Sequence, residues 1–183
     1  MEPVDGLLAR LHQPAVLRGS FTQSRQISGF KNPVVSGGEF VVARGQGLLW
    51  HTTQPFESLL SVSPDRLRVS NGKGGDETVL DARREPMLRS LNDILQSVVI
   101  ADVAALRAHF EMNIRLVGAS GWELTLKPKE AALLTRFAQI TLTGGENVET
   151  VLLAEASGDV TSLRFRDQQE DTQLTADEAG KLQ

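Results

Sequence analysis

Along this chain the apolar residues recur at two spacings, and the changes between them mark out its elements. A period near two, the signature of a half-buried strand, runs through most of it. It predicts strands at residues 16–30, 34–44, 47–53, 56–63, 66–70 and, more weakly, 77–80. After a helical interval it resumes at 110–117, 122–127, 137–143, 149–156 and 159–167. Glycine and proline signals separate these segments, including Asn32–Pro33, the turn after Arg44, the run at 71–75, Gly118–Gly121 and Ser157–Gly158. Gly19 predicts an interruption of the first strand. Residues 168–174 read as an edge strand and 175–181 as a capping turn of helix.

The helical period appears three times. Leu7, Leu8 and Leu11 fall on one face of a predicted helix over residues 3–13, which Pro14 stops. Over 86–99, Met87, Leu88, Leu91, Ile94, Leu95, Val98 and Val99 form one wide apolar stripe, with Pro86 at the opening position. Asp102 then caps a short helix over 103–109. Two helices in the middle of an antiparallel meander cannot lie within it, so they must cover a face or an end. The fold class expected is α+β, mainly β: a highly curved antiparallel sheet of about ten strands, with an N-terminal helix and a mid-chain helical pair. Such a sheet holds either a filled core or a lined pocket, and periodicity leaves both open.

The richest stretch lies between Ser36 and Leu60. Phe40, Val42 and Arg44 share one strand face, and Leu48, Trp50 and Thr52 line one face of the return strand, with Leu49, His51 and Thr53 opposite. A guanidinium thus ends an apolar face, a costly place for a charge without several acceptors. Taken on its residues alone, Arg44 reads equally well as a strand-end arginine snorkelling to solvent.

The ordered set Ser36, Gly38, Phe40, Arg44, Leu48, Trp50, His51, Gln54, Pro55, Glu57 and Ser58, with Phe21–Gln23 upstream, resembles the periplasmic outer-membrane lipoprotein carrier family (LolA-like). The resemblance implies an unclosed barrel with a helical lid over an apolar cavity, carrying acyl chains of lipoproteins or related lipids from inner to outer membrane. It implies that Arg44 reaches lid-loop carbonyls and locks the empty carrier. Phe21, Phe40, Val42, Leu48 and Trp50 would form one cavity wall, with Leu7 and Leu11 from the first helix. Met87, Leu91, Ile94, Leu95 and Val98 would form the lid, although a stripe of this kind is ordinarily plain core packing. Partners implied are acylated lipoproteins or other long-chain lipids, an inner-membrane exporter and an outer-membrane acceptor. Gly45 stands where the family usually has proline, and the tail lacks the family's F-x-P-P-like segment. Both point to a divergent branch, in which the cargo is alternatively a membrane pigment or another lipid. A lipid-sensing, partner-binding module on the same fold is the competing functional class.

Composition narrows the alternatives. The 183 residues suit one domain. A net charge of -4 and 5% aromatic content argue against nucleic acid. Without cysteine there is no disulfide, thiolate metal site or cysteine nucleophile. No run of eighteen apolar residues predicts a spanning helix. The start lacks a basic region and a long apolar middle, so it reads as a mature chain whose export signal was removed, and a periplasmic location rests on the resemblance. His12, His51 and His109 lack ligand spacing, and His51 reads as a surface residue. No catalytic residue, metal or cofactor is expected, and a monomer suits a shuttle.

Overall fold

The computed structural model describes residues 3–71, 77–81, 94 and 96–182. Eleven strands form one unclosed antiparallel sheet. In chain order they are β1 (Val16–Gln26), β2 (Val34–Ala43), β3 (Gly47–Gln54), β4 (Ser58–Val62), β5 (Arg66–Ser70), β6 (Glu77–Asp81), β7 (Phe110–Val117), β8 (Gly121–Pro128), β9 (Phe137–Gly144), β10 (Val148–Glu155) and β11 (Val160–Asp171). Hydrogen bonding orders them β6-β5-β4-β3-β2-β1-β11-β10-β9-β8-β7. The mainly-β class expected from the strand series and the unclosed form implied by the resemblance are both observed, with eleven strands rather than about ten.

Two expectations change. Gly19 does not interrupt β1, which runs unbroken. Its hydrogen instead makes room for an aromatic ring, because a Cβ there would lie 2.8 Å from Phe40 Cε1. Residues 168–174 are not an edge strand either. β11 continues to Asp171 and sits centrally, between β1 and β10. Its alternation is legible, but pairing partners distant in sequence are not.

The chain divides into two compact units. One holds the N-terminal segment to Gln13, Thr22–Val35 and Ile100–Phe165. In it, cross-strand pairs Leu124–Leu142 and Leu126–Ile140 build the core of β8 and β9. Trp122 lies opposite Gly144, whose missing side chain accommodates the indole, and donates Nε1–H to Gly145 O at 2.8 Å. The first helix, Pro3–Arg10, rests on β7 and buries Leu7 completely. Asp102 caps the helix Val103–His109 as expected, its carboxylate accepting from Ala105 N at 3.3 Å. A short helix at Ala131–Leu134 went unread, since four residues are too few for a periodicity.

The second unit holds Pro14–Phe21, Ser36–Val99 and Arg166–Gln183. The β2–β3 hairpin turns through Gly45, whose φ of 75° only glycine adopts freely, and Gln46 N donates to Ala43 O at 3.0 Å. The helix Ala176–Lys181 follows a capping box in which Thr175 and Glu178 satisfy each other's backbone amides. Ile94 and residues 96–100 are helical, within the predicted lid segment. Met87, Leu91 and Leu95 lie outside the described residues.

Candidate functional site

In the second unit the register of β2 to β5 sorts side chains onto two faces of contrasting chemistry. Phe40 lies opposite Trp50 and Val42 opposite Leu48. On the next strand Trp50 meets Leu60 and Leu48 meets Val62. Phe21 of β1 completes this apolar face by stacking on Trp50, with ring centroids 3.8 Å apart and planes inclined by 23°. Phe40 approaches the same indole at 6.1 Å. Phe21, Phe40, Val42 and Leu48 are buried, whereas Trp50 is half-buried. Of these five side chains the indole alone is not fully buried.

The structure thus brings together Phe21, Phe40, Val42, Leu48 and Trp50. Leu7 and Leu11 are buried too, but in the other compact unit. Of the predicted lid residues, Ile94 and Val98 are described and both are buried, as is Val99. Arg44 falls one residue beyond β2, in the turn, rather than on the strand face. Its backbone N–H donates to Ala15 O at 3.0 Å and its Nε to Pro14 O at 3.1 Å. The guanidinium thus finds a carbonyl acceptor, in the segment that leads into β1.

The opposite face carries Glu39, Val41, Leu49, His51 and Leu59, by the same alternation. A groove of about 740 Å³ lies on it, bounded by the C-terminal helix. Arg18 fastens that helix. Its Nε and Nη2 donate to the two oxygens of Glu178 at 2.8 and 2.6 Å, and Nη1 donates to Asp171 at 2.7 Å. These bonds hold Glu178 down to about 2, against the opposing effect of burial. Asp171 is lowered by the same guanidinium, and Arg18 is raised by its two carboxylates, Glu178 first. His51 sits on this mixed face and pairs with Glu57 at 3.1 Å. His109 pairs with Glu130 at 3.0 Å in the other unit. Among the described residues no group of three or more histidine and carboxylate side chains could hold a metal.

The Arg18–Glu178 clamp is what sequence reading missed. The Thr175-x-x-Glu178 capping signal was available, but nothing in it says which strand the helix docks on.

The profile of the family described as outer membrane lipoprotein carrier protein LolA matches residues 13–178. No curated protein matches the chain. Among solved structures, a LolA-superfamily protein from Nitrosomonas europaea superposes with a TM-score of 0.52 at 9% identity, over 96% of this chain and 94% of that one. A DUF1329-family protein from Desulfovibrio piger gives 0.53 at 10% identity, over 93% and 92%. A putative outer membrane lipoprotein-sorting protein domain from Vibrio parahaemolyticus gives 0.50 at 10% identity, over 98% and 95%. At these identities the likeness is one of fold.

Proposed function

We propose that this chain, which belongs to the LolA family of outer membrane lipoprotein carrier proteins, is a non-catalytic periplasmic carrier of acylated cargo. The observation that carries this reading is the Phe21–Trp50–Phe40 wall, an aromatic surface whose central indole is half-buried rather than sealed. Each methylene taken from water onto such a surface contributes roughly 0.8 kcal/mol, so acyl chains bind without any polar recognition. The same arithmetic makes release difficult. A carrier must therefore forfeit part of that gain on loading, which an apolar helix does if it covers the wall when empty and is displaced when full. Ile94, Val98 and Val99 are buried residues of the segment suited to this role. Its cargo would pass from an inner-membrane exporter to an outer-membrane acceptor.

A brominated fatty acid tests the reading directly, because bromine quenches only nearby indoles. The chain has two tryptophans, and Trp122 is 1% exposed with its N–H satisfied in the other unit. Saturable quenching that disappears in Trp50→Phe supports the proposal. Absence of quenching, together with failure to bind an acylated peptide, overturns it.

A further inference from the structure

β7 ends the strand order, bonded to β8 along one side. The parity of its backbone groups follows from two bonds. Lys129 donates its backbone N–H to His109 O at 2.9 Å, in line with the Phe110–Pro128 register. Antiparallel pairs alternate between bonded and non-bonded residues, so Glu111, Asn113 and Arg115 direct their amides and carbonyls to β8. Met112 and Ile114 direct theirs the other way. Phe110 obeys the same parity, its N–H going to Leu106 O instead of to β8. The first helix packs against the opposite end of the strand. Arg10 Nη1 donates to Val117 O at 3.4 Å and also to Gly121 O, and Gly6 of the first helix seats against Leu116.

Between these ends lies a groove of about 560 Å³. Val4, Phe110, Met112 and Ile114 give it an apolar side, and Arg107 and Lys129 bring two cations to the Phe110 end against the single carboxylate of Glu111. Among the described residues no hydrogen bond is recorded for the outward amides and carbonyls of Met112 and Ile114. A strand edge that is unpaired among the described residues offers a ready template for another chain.

We propose that this edge receives an extended segment of a partner protein as a twelfth strand. The segment carries apolar residues at alternate positions, which meet Val4, Met112 and Ile114, and a carboxylate at the end beside Arg107 and Lys129. Main-chain bonds to Met112 and Ile114 supply affinity, while the side pockets and the two cations set direction and sequence preference. The five residues from Phe110 to Ile114 span roughly 17 Å, matching a segment of about five residues. The inference concerns the other compact unit and stands whether or not the apolar wall carries lipid.

The probe is an acetylated hexapeptide of alternating valine and threonine ending in aspartate, added to the full ¹⁵N-labelled chain. Binding should slow hydrogen exchange at the Met112 and Ile114 amides. N-methylation of the peptide should abolish binding at alternate positions only. Ile114→Pro removes one outward N–H at an edge where proline is tolerated, and should weaken binding roughly tenfold. Arg107→Glu should weaken the aspartate-ended probe and favour a lysine-ended one. Unchanged exchange at both amides, or N-methylation effects without alternation, overturns the proposal even if Ile114→Pro unfolds. Protection of β7 through self-association without peptide also overturns it, by making a second copy the occupant.

Discussion

Arg18 and Glu178, 160 positions apart, are joined through two parallel N–H···O bonds of 2.8 and 2.6 Å. Both side chains are mostly shielded, with 24% and 15% of their surface exposed. This fork fastens the C-terminal helix to the face of the sheet that carries Glu39, Leu49 and His51. A planar guanidinium meets both carboxylate oxygens at once, which a lysine could not do.

The pair carries an acid limit. Glu178 is depressed from its ordinary 4.5 to about 2, so its contribution is complete above 4.5 and disappears as pH falls through about 2. Glu178→Gln should cost roughly 2 kcal/mol at pH 7, with the difference from the native chain closing between pH 5 and 2. Urea unfolding at several pH values checks this. A constant difference down to pH 2 would assign the loss to packing instead.

Phe21 is 3% exposed and stacks on Trp50. Phe21→Ala should therefore lower stability by about 3–4 kcal/mol and shift Trp50 emission to the red. Denaturant unfolding followed by tryptophan fluorescence reads both effects, with Trp50→Phe identifying the indole responsible.

Two glycines separate crowding from backbone strain. A Cβ at Gly38 would collide with His51 O, whereas one at Gly45 meets nothing within 4 Å but requires a φ of 75°. Gly38→Ala should lose about 2 kcal/mol or more through displaced backbone. Gly45→Ala should lose about 1 kcal/mol, and Gly45→Asn less, because asparagine tolerates the left-handed region. Thermal melts of the three variants give the order.

Arg44→Leu removes the bond to Pro14 O and leaves that carbonyl to water. If this arginine restrains the empty carrier, the variant should purify with more bound lipid and pass it to acceptor vesicles several-fold more slowly, with Arg44→Lys intermediate. Release at the native rate would confine Arg44 to a local role in the β2–β3 turn.

How much was legible differs by element. The strand series and the cap at Asp102 could be read because alternation and capping act within a few residues. The apolar strand face could be read too, since Phe40, Val42, Leu48 and Trp50 are neighbours across one hairpin, and one glycine turn sets their register. Phe21 joined them through the family pattern, and its stacking on Trp50 became visible only in the fold.

By itself the sequence determined periodicities, turns, the antiparallel strand series and the side of each strand that is apolar. All of these depend on local stereochemistry. Tertiary structure alone decided that β11 lies beside β1, that Arg18 clamps a helix from the far end of the chain, and that the first helix rests on β7. It also placed β7 at an edge whose outward amides point away from β8. Contacts of this kind join residues more than a hundred positions apart, where chain entropy favours no particular partner and only simultaneous packing of the whole sheet selects one.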